Sequence, residues 1–390
     1  MKQARTILPT YSADVFGVCS ALYELGGMTV MHDASGCNST YSTHDEPRWY
    51  DTDSLVFISA LTEMDAIMGN DDKVLGDMRE AVSQLHPKFA ALCGTPIPMM
   101  TGCDIPAIAA RLERESGIPC FGFQTSGMRS YLCGASEALE AVARRLTEEG
   151  AAVRPGTVNI LGATPLDFSV NGSIPAMKAL LEDAGWEVLS TWAMGSSLSD
   201  LVRAGEVQVN LVVSGVGMKA ALALKERFGT PYVVGTPTGK AFSRKVLDCL
   251  TKAARDGGCT MAFAETEAPA DGDIFIIGES VMSRSLAAAI QAECGARPRV
   301  VYPLELTAEL SGVLSAGDIH AMEEEEIQDA CKGASLVIAD PLYRPVLPKD
   351  CRFLSLPHEA FSGRIFRRDI PKLPTLDIKP WYTQTERKKP

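Results

Sequence analysis

Hydrophobic and polar positions alternate in blocks along most of the chain. From about residue 157 onward, short apolar runs that end in glycine precede longer segments with helical spacing. Segments 157–162, 207–215 and 231–235 have the strand pattern, and 173–186 and 217–229 have the helix pattern. Short apolar runs bounded by glycine predict buried strands, and a 3.6-residue period predicts helices. Their alternation predicts parallel βαβ units.

The same pattern divides the chain into three parts. Segment 267–273 is polar and rich in turn-forming residues, which is typical of a linker, and a new series of strands and helices follows it. The first 150 residues differ in having longer loops with many Gly, Pro, Ser, Thr and Cys residues. We therefore predict three parallel-sheet, Rossmann-like α/β domains around a central cleft, at 1–150, 151–266 and 267–390, the last with a C-terminal tail.

Composition excludes several classes of protein. The 37 Lys and Arg residues against 49 Asp and Glu residues give a formal charge of −12, which argues against general binding to nucleic-acid phosphates. No apolar run reaches the length of a membrane span. The N-terminal sequence lacks the apolar core of a secretory signal. We expect a cytoplasmic protein without a nucleic-acid or membrane partner.

Two glycine-rich segments resemble nucleotide-binding loops only in part. Segment 215–220 matches GxGxxA between a predicted strand and helix, but the next strand, 231–235, carries no acid for a ribose hydroxyl. Segment 235–240 ends in Gly-Lys but has one residue too few between its glycines for a phosphate loop, and no Ser or Thr follows. We expect neither a nicotinamide site nor ATP hydrolysis by this chain.

The candidate chemistry lies in the cysteines. The chain has 11 of them, and no CxxC pair indicates a zinc ribbon or a dithiol redox site. Cys37 follows a Ser-Gly turn after an apolar run, and Cys93 ends another apolar run just before a glycine loop. Thiolates at two strand ends of one domain are suitable ligands for an iron–sulfur cluster or for zinc.

The segments around these cysteines resemble a known family. His-Asp-Ala-Ser-Gly-Cys at 32–37 is similar to the His-Gly-Pro-x-Gly-Cys segment of nitrogenase component 1 and its relatives. Those relatives include protochlorophyllide and chlorin reductases, the nickel-tetrapyrrole reductase of methanogens and cofactor scaffolds. Segments 61–92, 93–109, 186–214 and 227–235 resemble further parts of the same proteins in the same order, so the resemblance extends over essentially the whole chain.

The resemblance implies a set of cluster ligands. Family members bind an iron–sulfur cluster at a subunit interface through three cysteines per chain, or through fewer with a carboxylate in place of one. Cys37 and Cys93 match the second and third positions. The first position falls near Ser12, so the resemblance leaves Cys19 and Asp14 as alternatives.

Ligand counting predicts the assembly. If each chain supplies Cys37 and Cys93, two chains complete the four ligands of a 4Fe–4S cluster across a twofold axis. We therefore expect a homodimer or a heterodimer with a sister chain. The resemblance also implies an ATP-dependent iron–sulfur reductase, similar to the nitrogenase iron protein, as the electron donor.

A second cofactor position differs from that of true nitrogenases. The family's iron–molybdenum-type cofactor is held by a second-domain cysteine, where this chain has Ser214, and by a third-domain histidine, near which it has His358. Because a hydroxyl does not replace a thiolate on iron, we do not expect dinitrogen reduction with that cofactor. We expect the predicted cleft to hold a different metallocofactor or an organic substrate such as a tetrapyrrole.

Four further residues are candidates for contact with a substrate. His44 and Asp45 lie in a polar segment and are candidate catalytic proton donors. Arg129 and Lys219 each follow a glycine closely and are candidates to face anionic groups.

The sequence thus predicts a nitrogenase-like oxidoreductase subunit that passes electrons through an interfacial cluster to a substrate between the domains. Two alternatives remain open. One is a scaffold on which a metallocluster or cofactor is assembled, and the other is a cluster-free protein that binds a small molecule.

Overall fold

The computed structural model describes residues 12–34, 36, 38, 46–150, 152–263, 273–312 and 317–384. Within these residues the chain forms three sheets whose strands are all parallel. Three parallel-sheet units with helices between their strands confirm the predicted fold class. None of the described helices is both long and apolar enough to cross a bilayer.

The first sheet has the strand order β2-β1-β3-β4. Its strands are β1 (Met28–Met31), β2 (Leu55–Ile58), β3 (Ala90–Cys93) and β4 (Cys120–Phe123). The helices of this part are α1 (Asp14–Leu22), α2 (Glu63–Met68), α3 (Asp71–Leu85), α4 (Pro96–Thr101), α5 (Ile105–Ser116) and α6 (Tyr131–Arg145). Strand side chains alternate between two faces. One face packs with α3 and α5, and the other belongs to the large core that also contains α1 and α6.

The second sheet has the strand order β6-β5-β7-β8-β9. Its strands are β5 (Arg154–Leu161), β6 (Glu187–Thr191), β7 (Val207–Val212), β8 (Tyr232–Val234) and β9 (Thr260–Met261). Its helices are α7 (Pro165–Phe168), α8 (Ser173–Asp183), α9 (Leu198–Val202), α10 (Met218–Phe228) and α11 (Gly239–Asp256). Strands β7 and β8, and β5 from residue 157 onward, are almost entirely buried, as expected for a parallel sheet covered on both faces.

The third sheet has the strand order β12-β11-β10-β13-β14. Its strands are β10 (Ile274–Ile277), β11 (Arg299–Tyr302), β12 (Ile319–His320), β13 (Leu336–Ala339) and β14 (Arg352–Ser355). Its helices are α12 (Ser280–Cys294), α13 (Ala308–Ser311), α14 (Glu324–Ala330), α15 (Glu359–Ser362) and α16 (Ile378–Tyr382). Each sheet draws its strands from one of the three ranges predicted for the domains, whose boundaries remain predictions.

The three units share one continuous apolar core. Helix α6 of the first unit packs on α10 of the second, α11 packs on α12 of the third, and α7 contacts both α1 and α15. These contacts join the three units. The loop after β7 also meets the loop after β10, where the N–H of Gly215 donates to Glu279 Oε1 at 3.0 Å.

Candidate functional site

The carboxyl ends of β1, β3 and β4 form one edge of the first sheet. Met31 is in register with Cys93, and Cys93 is in register with Phe123. The backbone N–H of His32 donates to the carbonyl oxygen of Cys93 at 2.9 Å, which continues the pairing beyond β1. Since parallel strands end at the same edge, the loops that follow them are adjacent. We call this the cysteine edge.

Cys93 lies at the last position of β3 and is fully buried. Its thiol lies next to the thiol of Cys19, which is also fully buried, on α1. Burial raises the pKa of the Cys93 thiol well above its ordinary value, and the contact with Cys19 and the nearby carboxylate of Asp14 add to this. The structure therefore brings together two sulfur donors that are far apart in sequence.

Cys37, His44 and Asp45 lie outside the described residues. The described neighbours of Cys37 are nevertheless attached to the cysteine edge. Asn38 donates from Nδ2 to Asp33 Oδ2 at 2.5 Å, and Thr95 donates from Oγ1 to Asp33 Oδ1 at 3.1 Å. The residue after Cys37 is thus connected through one carboxylate to the residue two positions after Cys93.

Asp14 is fully buried and its carboxylate is saturated with hydrogen bonds. Oδ1 accepts from the backbone N–H groups of Val15 at 2.9 Å and Gly127 at 2.8 Å. Oδ2 accepts from the N–H of Ser126 at 3.1 Å and from Nε of Arg129 at 3.1 Å. A carboxylate offers about four acceptor positions, and all are used here: one for Val15 of α1 itself and three to join α1 to the loop after β4. This geometry favours a structural role for Asp14 and leaves Cys19 as the better donor beside Cys93.

The chemistry of the donor set fits an iron–sulfur cluster. The described residues contain no group of three or more His, Cys, Asp or Glu side chains arranged to hold a metal ion by themselves. They do contain the Cys19–Cys93 thiol pair, next to the segment that carries Cys37. Thiols are the donors that iron–sulfur clusters require, and a cation must deprotonate them on binding, since burial keeps Cys93 neutral.

A polar pocket lies at the same edge and is lined by His32, Asp65, Asp71, Cys103 and neighbouring residues. Nδ1 of His32 is 2.8 Å from Ser59 Oγ, and burial lowers the pKa of the ring. The thiol of Cys103 donates to Asp71 Oδ1 at 3.7 Å. Burial and then the negative charge of Asp71 raise the pKa of Cys103 to about 12, so this thiol is neutral near pH 7.

Arg129 and Lys219 line one groove to which all three units contribute. Nη1 of Arg129 lies 2.8 Å from Glu137 Oε1, and Nζ of Lys219 lies 3.7 Å from the same oxygen. Hydrogen bonding to Glu137 and then the charges of Glu137 and Asp14 raise the pKa of Arg129, although burial opposes this. The structure brings the two predicted cations together, but each already has a carboxylate partner.

Ser214 and His358 do not share a site. Ser214 is fully buried after β7 and donates from Oγ to the carbonyl oxygen of Gly162 at 2.8 Å. His358 precedes α15 and lines a cavity between the second and third units, and Ser214 is not among the described residues of its lining. A metallocluster held between a second-domain ligand at position 214 and His358 therefore does not fit this arrangement.

The interdomain cavity contains acids that sequence reasoning missed. Asp167 on α7 and Glu279 at the cap of α12 both line it beside His358. Nε2 of His358 is 3.4 Å from Asp167 Oδ1, which also accepts from the hydroxyl of Tyr131. Burial, and then the charge of Asp167, raise the pKa of Glu279. The available signal was an acid directly after a predicted strand, in Ile277-Gly278-Glu279.

Known proteins with related sequences are reductases and cofactor-assembly proteins. A light-independent protochlorophyllide reductase chain of Chlorobium luteolum is 26% identical over 201 residues, which cover 49% of this chain and 38% of that protein. The cofactor biosynthesis protein NifE of Clostridium pasteurianum is 26% identical over 45% of this chain and 38% of its own length. The nitrogenase molybdenum–iron protein alpha chain of Methanosarcina barkeri is 23% identical over 48% of this chain and 36% of its own length. The matched part thus spans less than half of each relative.

The solved structure described as nitrogenase Cp1 at pH 6.5 superposes with a TM-score of 0.69 at 16% identity, covering 98% of this chain and 93% of that one. This likeness concerns the fold. The family model for nitrogenase component 1 type oxidoreductases matches residues 15–309, which is most of the chain and includes the cysteine edge. The chain therefore belongs to the nitrogenase component 1 type oxidoreductase family.

Proposed function

We propose that this chain is the catalytic subunit of a nitrogenase-like oxidoreductase. It takes electrons from a separate ATP-dependent iron–sulfur reductase and passes them to a substrate bound between its domains. The observation that carries the proposal is the buried contact between Cys19 and Cys93, beside the segment that contains Cys37. These three residues would hold the cluster, which supplies one-electron redox chemistry when bound.

The protein's own contribution is to position and shield these donors. Asp14 fixes the start of α1, and thereby the helix that carries Cys19, against the loop after β4. Asp33, Asn38 and Thr95 hold the segment on either side of Cys37. Complete burial of the two described thiols excludes water from this side of the site.

The surface around the cysteine edge favours association with a second subunit. Exposed apolar side chains follow β2, β3 and β4 of the first sheet: 67% of Met64 and 72% of Met68 are exposed on α2, 80% of Met100 on α4, and 76% of Met128 after β4. Large apolar side chains gathered at one edge mark interaction surfaces. We propose that a second copy or a sister chain covers this edge and supplies the remaining cluster ligands.

A scaffold for cofactor assembly is the second candidate, and the similarity to NifE favours it. Both functions use a cluster on the same cysteines. They differ in outcome, because an enzyme turns over a substrate when reduced by its partner, whereas a scaffold transfers its metallocluster to an acceptor protein.

Substitution of the cysteines tests the proposal. The protein is expressed anaerobically with iron and measured for iron, sulfide, visible absorption and EPR. Cys37→Ala and Cys93→Ala are each expected to remove most of the iron and the absorption near roughly 400 nm that thiolate-ligated clusters show. Cys249→Ala and Cys351→Ala are the controls, because they remove a thiol in the second and third units, away from the cysteine edge.

Cys19→Ala separates the ligand sets. Loss of iron would support three cysteines per chain, and retention would support two. Full iron content in both Cys37→Ala and Cys93→Ala would contradict the proposal. Membership of the family would then account for the fold only.

A further inference from the structure

Arg48 lies in the interior of the molecule, where a charged side chain is rare. It is 3% exposed and follows the part of the chain that contains Cys37. Two carboxylates compensate its charge, since Nε lies 2.6 Å from Glu46 Oε1 and Nη1 lies 2.9 Å from Glu24 Oε1. Burial by itself lowers the pKa of Arg48, but the charges and hydrogen bonds of Glu46 and then Glu24 outweigh it and raise the pKa. The guanidinium is therefore charged and paired.

The same guanidinium holds the C-terminal end of α1. Nη2 donates to the carbonyl oxygen of Ser20 at 2.8 Å and to its Oγ at 3.2 Å. Carbonyl groups in the last turn of a helix lack partners within the helix, and the helix dipole favours a cation there. Cζ of Arg48 also lies 4.8 Å from the centroid of the Tyr23 ring, just after α1. Because Ser20 directly follows Cys19, these contacts fix the turn of the helix that carries that thiol.

The network of Arg48 and its partners extends to the second unit. Nη1 of Arg48 donates to the carbonyl oxygen of Ala193 at 2.8 Å, and the N–H of Gly195 donates to Glu24 Oε2 at 2.6 Å. Ala193 has a φ of 89°, which is unfavourable for a residue with a side chain and persists only where the surroundings fix it. The end of α1 is thus connected to the loop after β6.

All five N–H groups of the guanidinium have acceptors within the chain. A buried ion pair adds little net stability over apolar residues of the same volume, because the loss of hydration offsets the attraction. A planar fork whose five donors are all engaged does restrict its partners to one arrangement. Here the partners belong to α1, to the segment 46–48 and to the second unit, so the arrangement sets the position of α1 against both.

We propose that Arg48 is a positioning residue for the cluster ligands, which fixes the last turn of α1 and so holds the Cys19 thiol beside that of Cys93. It acts through Ser20 and Glu24. The inference rests on the proposed function, because it takes Cys19 and Cys93 as ligands of the cluster.

The first test measures the accessibility of the Cys19 thiol in the iron-free full chain. The unmodified protein and Arg48→Lys are treated with iodoacetamide without oxygen, and mass spectrometry follows the labelling of Cys19 and Cys331. Lysine keeps the charge, but its three donors on one atom cannot reach all the acceptors, so the last turn of α1 opens more often. Labelling of Cys19 is expected to be about tenfold faster in Arg48→Lys, which corresponds to about 1.4 kcal/mol in the opening equilibrium. Cys331, which is equally buried in the third unit, is expected to keep its rate.

Arg284→Lys is the matched control. Arg284 is also buried and paired, with Nη1 3.4 Å from Asp318 Oδ2, but it lies on α12 of the third unit. This variant is expected to leave the labelling of Cys19 unchanged. An equal rise at Cys19 in Arg284→Lys, or an equal rise at Cys19 and Cys331 in Arg48→Lys, would indicate a general loss of stability and overturn the inference.

Glu24→Gln covers the case in which Arg48→Lys does not fold. It keeps the shape of the partner and removes its charge, so it is expected to speed the labelling of Cys19 by a smaller factor. No rise at Cys19 in either variant would also overturn the inference.

The second test uses the iron-loaded protein. When Cys19 is held less firmly, the cluster of Arg48→Lys is expected to differ from that of the unmodified protein in its EPR spectrum and midpoint potential, since the surroundings of the ligands tune the cluster. Loss of iron in Arg48→Lys but not in Arg284→Lys would support the inference equally. An unchanged spectrum and potential at full iron content in Arg48→Lys would refute it.

The two proposals fail separately. If the cysteine variants lose iron but Arg48→Lys changes neither the labelling of Cys19 nor the cluster, the cluster proposal stands and the role of Arg48 is wrong. If Cys19 is labelled faster as expected in a protein that never takes up iron, Arg48 positions the thiol pair and the electron-transfer proposal is wrong.

Discussion

The carboxyl edges of the first and second sheets have the same topology and opposite chemistry. At the edge of the second sheet, Ser214 donates to Gly162 at 2.8 Å and Thr236 donates to the carbonyl oxygen of Val213 at 2.6 Å, and these residues are buried. These two hydroxyls, which follow β7 and β8, are satisfied by the neighbouring backbone. At the cysteine edge, β3 ends in Cys93, whose thiol lies beside that of Cys19 on α1. The preferred partners of such thiols are metals, and exposed methionines lie nearby in sequence.

The comparison indicates where the function resides. Parallel sheets bring strand ends together wherever they occur, so the topology alone does not distinguish the two edges. The two edges differ in whether the polar side chains of the loops already have hydrogen-bond partners within the chain. After β7 and β8 the hydroxyls have such partners within the second unit, whereas the cysteine edge keeps soft donors and apolar surface for groups from outside the chain.

The largest effect is expected from breaking the anchor of the cysteine edge. Asp14→Ala removes the acceptor of three backbone N–H groups and one guanidinium, so buried donors lose their partner. We expect a loss of about 3–5 kcal/mol in the free energy of unfolding, measured by urea denaturation. Iron content is expected to fall as well, because α1 carries Cys19.

Asp183→Ala serves as the control for Asp14→Ala. It removes an exposed carboxylate and is expected to change stability by about 0.5 kcal/mol or less. If Asp14→Ala were equally mild, the saturated carboxylate would not be what holds α1 to the loop after β4.

A smaller effect is expected at the crossing of α1 and α6. A Cβ at Gly17 would overlap the carbonyl oxygen of Tyr131, so the helices approach closely only because this residue is glycine. Gly17→Ala is expected to cost about 1–3 kcal/mol by forcing α1 away and to lower iron content, because Cys19 moves with the helix. Thermal and urea unfolding measure the first effect, and metal analysis measures the second.

Gly76→Ala is the matched control for the crossing. Gly76 lies within α3, and a Cβ there would meet nothing within 4 Å. The same substitution is therefore expected to stabilise the protein by about 0.5–1 kcal/mol through lower backbone entropy of the unfolded chain. A destabilisation equal to that of Gly17→Ala would mean that the close helix contact is not the cause.

The fold was predictable because its signals are local. Glycine-terminated apolar runs and helical periods predicted the parallel units, and three parallel sheets confirmed them. The strands β9 and β12 have only two residues each, which is too short for a pattern to show. They form because the neighbouring strand offers an edge, and that is a tertiary effect.

Only part of the site could be predicted, because its residues are distant in sequence and come together through tertiary packing. Strand-end glycine loops singled out Cys93, but the contact with Cys19 depends on the docking of α1 on α6, which no local pattern encodes. The acids of the interdomain cavity were missed for the same reason. Asp167 and Glu279 come from different units, and each by itself resembles an ordinary residue at the start of a helix.

The smallest effect is expected at the end of β7 in the second sheet. Ser214→Ala removes one buried hydroxyl and its bond to Gly162, and we expect a loss of about 1 kcal/mol with unchanged iron content. Ser214→Cys is the sharper variant, because it places a thiol at the position where the family resemblance implies one. Since residue 214 is not among the described residues that line the cavity beside His358, this thiol is expected to bind no additional metal after anaerobic expression with iron. A second metal signal in Ser214→Cys, absent from Ser214→Ala, would show that the end of β7 is also open to an external group and would remove its distinction from the cysteine edge.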